Sequence, residues 1–344
     1  MRIGKLTNQE LQEIVISRLP RLSARTLTGA QVGADCAWIN MDSNLLVTSA
    51  DPVTAGGMQS GRLSIHVSCN DIAATGVMPV GILLVILAPP SIERKDLVKT
   101  IEQASEAASM LGVDIVGGHT EISDSVSRLV VITTAFGVIE KTDHVPLGKA
   151  LPGDTLLMTK TAAIEGTWIA AMEHEDKISS ALNAEDNSEL LEQARSFIDR
   201  LSVVKEGVLA VSCPSSVPGN NQQGYPLSAV HLMHDATEGG IYGASYEMAE
   251  LSGTGLILES TDIPVHPATK IISTALGLDP MRLISSGSLL IATSEPDLVI
   301  DKLKSNDVAC AAIGKFTDDG FYVRDESGVL VPLSPPDVDE IYKL

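Results

Sequence analysis

The stretch Ser68–Ala88, SCNDIAATGVMPVGILLVILA, decides how the rest of the chain is read. Its first half continues a helical recurrence of apolar residues, Ile65, Val67, Ile72 and Ala73, and stops at Gly76, three residues before Pro79. Gly just past the last helical turn with Pro shortly after it is the usual way a helix ends. Its second half, GILLVILA, is a continuous apolar run of strand length. A helix turning into a buried strand, with a carboxylate at Asp71 inside the helix, fits an α+β packing unit better than a repeat solenoid, since no fixed short period is visible.

Working outward, LLVTSA at Leu45–Ala50 reads as a buried strand running into Asp51, and Leu11, Ile14, Val15 and Leu19 mark an amphipathic opening helix. Downstream, Leu97, Val98, Ile101, Ala104, Ala108 and Leu111 fall at i, i+3/i+4 spacing, with Gly112 as the cap. VDIVGGHTE then reads as a short strand ending in a glycine turn, and RLVVITTAFGVI as a long strand. KALPGD interrupts this pattern and places a domain boundary near Pro152, giving domains 1–150 and 151–344. In the second half, TLLMTK, AVHLMHD, GLILES, SLLIATS, Ala309–Gly314 and Phe321–Arg324 read as strands, and segments near 164–172, 241–251, 268–276 and 297–303 as helices. The acidic stretch from Glu173 to about Val211 favours helix, and the Pro- and Gly-dense segment Cys213–Pro226 reads as a surface loop. The expected fold is α+β, two domains each with a sheet covered by helices on one face; a doubly wound parallel sheet is the rival.

A chain of 344 residues is long enough for about two domains. Its 44 acidic residues against 24 Lys and Arg give a formal charge of −20, which repels a polyanionic surface and argues against nucleic-acid binding. The four cysteines are far apart and form no CxxC pair, which argues against a zinc site or disulfide framework and for a reducing compartment. The N-terminus lacks the charge and apolar blocks of a signal peptide, and the longest apolar run, Val80–Pro90, is far below the ~20 residues of a membrane span. A soluble, cytoplasmic protein is expected.

Asp35, Asp51, Asp71 and Glu121 sit in apolar or small-residue surroundings, where a charge is costly unless compensated. Hard carboxylate ligands of this kind suit Mg²⁺, although an Asp can equally be an N-cap or a turn residue. The glycine turns ADPVTAGG, VGGHTE, HDATEGG and LISSGS offer backbone N–H groups to phosphate oxygens without many cations. No Walker A pattern and no GxGxxG after a strand is present. Lys5 and Lys160 are the cations placed near phosphates, though a lysine can simply be solvated. His66, His119 and His234 neighbour these motifs and can act as acid or base near neutral pH, or be structural.

VGADCAWI, TSADPVT, SCNDIAATGVMPVG, LGVDIVGGHTE, LPGDTLLMTKTAAIEGT, MHDATEGGIYGA and DPMRLISSGSLLIAT resemble, in order and across nearly the whole chain, the aminoimidazole ribonucleotide (AIR) synthetase-like superfamily, nearest its HypE-like hydrogenase maturation branch. The resemblance implies an N-terminal domain that dimerises through a shared β-barrel, a C-terminal α+β domain whose sheet is covered by helices, and ATP with Mg²⁺ in the cleft between them. It implies a homodimer and an enzyme that phosphorylates an amide, carboxyl or related oxygen on a small molecule or a protein-borne acceptor. Carried over, Asp35, Asp51, Asp71 and Glu121 become metal ligands, and His119, Glu121 and His234 the catalytic set. Lys5, Asn70, Gly117, Gly118, Lys160, Asp235, Gly239 and Gly240 become cofactor-binding residues. HypE-like proteins end in a cysteine that receives a carbamoyl group, carry Gly-Asp-Thr at Gly118–Thr120 and Arg at Glu238; this sequence ends DVDEIYKL with no cysteine after Cys310. A paralogue acting on a separate substrate is therefore expected, with a nucleotide-binding regulator that does not turn over ATP as the alternative.

Overall fold

The computed structural model describes residues 6–20, 23–53, 57–143, 148–182, 187–220 and 224–344. The first sheet contains β1 (Thr26–Thr28), β2 (Ala37–Met41), β3 (Asn44–Val53), β4 (Pro79–Ala88), β5 (Asp114–Ile122) and β6 (Val130–Glu140). Their order is β1-β2-β3-β6-β4-β5, antiparallel except for β4 with β5. The chain opens with α1 (Asn8–Glu10), and α2 (Ser60–Ala74) and α3 (Arg94–Leu111) pack over one face of this sheet. Along β4 the side chains of Ile82, Leu84 and Ile86 go under the helices, while Val80 and Leu83 stay exposed on the other face. Within one chain the sheet is open: β1 and β5 are edges and do not pair with each other.

The second sheet contains β7 (Thr155–Thr159), β8 (Val230–Asp235), β9 (Gly255–Glu259), β10 (Leu289–Thr293), β11 (Cys310–Thr317), β12 (Phe321–Arg324) and β13 (Leu330–Pro332), in the order β13-β12-β9-β11-β7-β10-β8. Only β9 and β12 run parallel. One parallel pair per sheet rules out the doubly wound alternative and leaves a mixed α+β architecture. Its helices are α4 (Ile164–Glu173), α5 (Glu175–Leu182), α6 (Ser188–Arg195), α7 (Val204–Val211), α8 (Gly240–Ser252), α9 (Pro267–Leu276) and α10 (Pro296–Lys304).

Cover on one face is corrected for this second sheet. Leu290 and Ala292 of β10 pack with Ile241, Ala244 and Met248 of α8, whereas Leu289 and Ile291 pack with Val204 of α7 and Val299 of α10. All five residues of β10 are buried, as an unbroken apolar run requires when both faces are covered. The same core continues into the first sheet through Ile65, Cys69 and Ile72 of α2. Burial of each large aliphatic side chain there contributes about 1.5–3 kcal/mol.

The helix α2 is the hinge-piece of this packing. Nearly all of it is buried, with Ser64, Ser68, Ala73 and Ala74 keeping it thin. At Gly61 a Cβ would stand 2.1 Å from the carbonyl oxygen of Thr100, so α2 and α3 touch backbone to backbone. The boundaries of the central helices agree with the expectation: α2 is followed by Gly76 at φ 79° and α3 by Gly112 at φ 68°, both left-handed. The opening amphipathic helix is not formed as expected. After α1 the chain makes a π turn at Leu11–Val15 and a 3-10 turn at Ile16–Arg18, and Ile14 and Leu19 are exposed. The expected glycine turn at VGGHTE is also corrected: β5 runs straight through Gly117 and Gly118 to Ile122.

Candidate active site

The alternation of β3 buries Leu45, Val47 and Ser49 and carries Asp51 to the same helix-facing side two residues on. Asp71 comes to meet it from α2. The Ser49 hydroxyl donates to Asp71 Oδ2 at 2.5 Å, and the Asp51 carboxyl acts electrostatically on Asp71 from beside it. Burial first, then the charges of Asp235, Asp51 and Asp35, push the Asp71 carboxyl well above the carboxylate range. Four carboxylates from β3, α2, the end of β8 and the loop before β2 therefore converge on one place. In the same pocket the Cys36 thiol donates to the Asp71 carbonyl at 3.3 Å.

Asp35 is held by His234. Nδ1 of His234 lies 2.6 Å from Asp35 Oδ2, and Nε2 lies 3.3 Å from Glu247 Oε2 on α8. Burial alone would lower the His234 pKa, but the two carboxylates hold it well above its ordinary value. Both nitrogens then donate, and the ring is an imidazolium with no lone pair to offer. Of the acid, base and structural roles the sequence leaves open for His234, this pairing with two carboxylates gives it a proton to hold or donate. Ligand atoms of Asp35, His234 and Asp235 lie within 4.8 Å of one another, and a metal ion bound there would compete with the proton for the ring nitrogen.

The donor set fits a hard divalent ion. Asp51 Oδ2 is buried with no hydrogen-bond partner, and Asp35, Asp51, Asp71 and Asp235 supply oxygens only. A dication there would remove the mutual repulsion that otherwise keeps a proton on Asp71. Two cavities meet at Asp35. The smaller is lined by Trp38, Met233 and Leu251 besides Asp71, and the larger, about 600 Å³, by His234, Glu238, Tyr246, Glu247 and Asp339.

Several expected members are placed elsewhere. Register pairs Glu121 with Leu87 and His119 with Val85, so both project from the face of the sheet opposite Asp51. There His119 Nε2 and Glu121 Oε2 form a 3.5 Å pair, 66% and 54% exposed. The structure does not bring Glu121 to the other carboxylates of its own chain, because strand side chains alternate and Glu121 is on the wrong parity. A Cβ on Gly118, at φ 152°, would lie 1.8 Å from the Leu84 carbonyl oxygen. This glycine permits close pairing of β4 and β5.

The Asn70 and Lys160 side chains are both engaged in ties within the chain. Asn70 Nδ2 donates to the Leu201 carbonyl and its Oδ1 accepts from the Val203 amide, both at 2.8 Å. Lys160 Nζ is shared among Glu206 at 2.7 Å and the carbonyls of Arg200 and Ser202 at 3.1 and 2.6 Å. All three of its donors are thereby engaged. His66 is buried, and neither ring nitrogen has a partner. Gly239 and Gly240 turn the chain from β8 into α8 at φ 84° and 63°, and a Cβ on Gly240 would stand 2.6 Å from the Met281 carbonyl oxygen. The Gly239 amide is not open to a phosphate: it donates to Asp339 Oδ2 at 2.7 Å. Lys5 lies outside the described residues.

The residues missed by the sequence are Ser49, Glu247, Glu165 and Asp339. Ser49 is two positions before Asp51, and its role follows from strand parity alone. Glu165, at the start of α4, is buried, and its carboxyl is pushed up to about 7 by burial and by the charges of Asp339, Glu238 and Asp235. Burial likewise pushes Asp339 up to about 6, against the backbone amides it accepts from.

An AIR synthase related N-terminal domain matches residues 33–139, and the C-terminal domain of the same family matches residues 222–326. Together they take in more than half of the chain, which belongs to the AIR synthase related family. The chain is 26% identical over 275 residues to carbamoyl dehydratase HypE of Cupriavidus necator, covering 78% of this chain and 71% of that protein. It is 23% identical over 299 residues to a Methanocaldococcus jannaschii protein named for hydrogenase expression and formation, covering 86% and 81%. Among solved structures, hydrogenase maturation protein HypE in complex with ATP superposes with a TM-score of 0.68 at 19% identity, over 98% of this chain and 97% of that one. No described helix is long and apolar enough to cross a membrane.

Proposed function

We propose that the chain is an ATP- and Mg²⁺-dependent enzyme of the hydrogenase-maturation type, which activates an amide, carboxyl or related oxygen of an acceptor by phosphorylation. One observation carries this reading: Asp35, Asp51, Asp71 and Asp235, distant in sequence, converge at the junction of the two sheets. These four would hold the metal. When bound, a divalent ion supplies charge neutralisation at phosphoryl oxygens, on which phosphoryl transfer chiefly depends. Ser49 fixes the orientation of Asp71, and the His234 imidazolium fixes Asp35 while balancing part of the local negative charge. The turn at Gly239–Gly240 leads from Asp235 at the end of β8 into α8, which brings Tyr246, Glu247 and Glu250 to the larger cavity. The family and the ATP complex of a relative support ATP as the nucleotide. Residues 1–150 and 151–344 are taken as the two domains, acting in the cytoplasm.

The reading includes a homodimer in which two open sheets complete a barrel. Val80, Leu83, Val116 and Val138 are 42–57% exposed on the first sheet, and β5 is an unpaired edge. Such a face and edge favour covering by another sheet. Light scattering on the purified chain should give twice the mass of 36.2 kDa. The activity is tested by binding of a fluorescent ATP analogue with Mg²⁺ or EDTA, and by ADP release with carbamoyl-bearing acceptors. Binding that is lost with EDTA and in Asp71→Asn is the expected result; nucleotide binding indifferent to both defeats the proposal. Tight binding with no ADP release would turn the assignment to a nucleotide-binding regulator.

A further inference from the structure

Arg200 stands without an acceptor in a chain rich in acceptors. The sequence carries 44 Asp and Glu, yet the half-buried Arg200 guanidinium has no carboxylate or carbonyl partner among the described residues. Asp199, its chain neighbour, is taken by Arg62 at 3.3 Å. The guanidinium is nevertheless held in place. Its Cζ stands 5.2 Å from the centroid of the buried Phe197 ring, and the Arg200 carbonyl accepts from Lys160 Nζ at 3.1 Å. The same ring meets His266 edge-on, with centroids 4.9 Å apart. His266 caps α9, its Nδ1 accepting from the Ala268 amide at 3.1 Å. Burial, then the charge of Arg200, lower the His266 pKa, so the ring is neutral and carries its one proton on Nε2. That N–H has no acceptor among the described residues. The first turn of α9 holds no acidic residue, although a helix N-terminus favours one. Val53, two residues past Asp51 on β3, packs against the cluster that contains Phe197 and Ala268, so these donors gather beside the strand that carries Asp51.

We propose that Arg200 and His266 form a binding site for an oxyanion, the phosphate monoester or carboxylate group of a small molecule, separate from the metal carboxylates. The guanidinium fork matches two oxygens of such a group, and the His266 N–H and the α9 N-terminus suit a third. Stacking on Phe197 fixes the fork before a ligand arrives, so little side-chain freedom is lost on binding. Elsewhere the chain closes its arginines with its own carboxylates, Arg195 with Glu175 and Arg324 with Glu259. Leaving Arg200 open keeps one positive spot on a molecule of formal charge −20, and that spot concentrates small anions which the rest of the surface repels. The site does not depend on the metal reading, because the charges acting on Asp71 include neither Arg200 nor His266.

The test is calorimetric titration of the full chain in EDTA at constant ionic strength, with inorganic phosphate, malonate and chloride as probes. Phosphate or malonate is expected to bind with Kd of about 1 mM or tighter, at least about tenfold more tightly than chloride. The tighter of the two names the source, a phosphate monoester or a carboxylate. Arg200→Gln should weaken that probe by about tenfold or more, the scale of losing hydrogen bonds to a charged group. Arg200→Lys, which keeps the charge without the fork, should weaken it less. His266→Asn can still cap α9 but lacks the Nε2 proton, and should weaken it by about threefold or more. All three variants should keep Mg²⁺-dependent nucleotide binding. The proposal is overturned if neither oxyanion binds, if chloride binds as tightly, or if Arg200→Gln and His266→Asn leave the affinity unchanged. Displacement of the probe by saturating Mg²⁺ and a non-hydrolysable ATP analogue would also overturn it, since the nucleotide phosphates would then be the occupant. Failure of the natural chain to bind nucleotide would instead strike the functional reading, and the metal-free titration would still judge Arg200.

Discussion

The two faces of the first sheet differ more than any other two regions of the molecule. Beneath α2, Ser49 is hydrogen-bonded to the buried Asp71 with the half-buried Asp51 beside them; on the opposite face, His119 and Glu121 form an exposed pair in solvent. All of these residues come from apolar or glycine-rich blocks that look alike in sequence. A single step of strand parity separates them, and it decides whether a carboxylate is desolvated and raised in pKa or merely hydrated. Chemistry that needs perturbed carboxylates belongs to the inner face.

The sharpest way to break this contrast is to neutralise one carboxylate on each side. Asp71→Asn should lower ADP release by about a thousandfold, the scale of losing one preorganised electrostatic element. Glu121→Gln should change it by less than about twofold. Steady-state turnover on both variants decides the point; an equal loss at Glu121 would mean that a second copy carries the outer face into the site.

Acid stability should sharpen the same contrast. Burial first, then Arg62 and Lys160, lower the His66 pKa from 6.5 to about 4. The unfolded chain therefore binds a proton between those values that the folded chain refuses, and stability is lost as pH falls from about 6.5 towards 4. The loss amounts to about 3 kcal/mol. Urea unfolding at pH 7 and pH 4.5 should show it in the natural chain and show less of it in His66→Leu.

Gly118→Ala should cost about 2 kcal/mol, because the new methyl meets the Leu84 carbonyl and forces β4 from β5. A thermal melt a few degrees lower is the expected readout. The smallest effect belongs to His119→Ala, which should shift stability by less than about 0.5 kcal/mol, as an exposed substitution does. A larger shift would show that the outer face is covered in solution.

Much of the architecture was legible because periodicity and glycine caps are local. The terminations of α2 at Gly76 and of α3 at Gly112 follow from single residues, as does the long strand β6. The grouping of Asp35, Asp51 and Asp71 was implied by the family resemblance, not by spacing. What escaped was non-local: which parity of β5 faces α2, which helix supplies Glu247 to His234, and that Lys160 is consumed by Glu206. Asp339 gave no signal, since a carboxylate near a chain end is ordinarily a solvated group, and only folding brings it to the Gly239 and Ile284 amides.

The paired hydrogen bonds of the Asn70 side chain reach further than local order. By stitching α2 to the strand of chain between Leu201 and Val203, inside a core shared by both sheets, they make a clamshell movement of the two halves expensive. Leu6–Gln9, Leu11 and Pro335–Asp339 line the larger cavity, so exchange rates should answer to changes in those two short segments and hardly at all to changes along the seam.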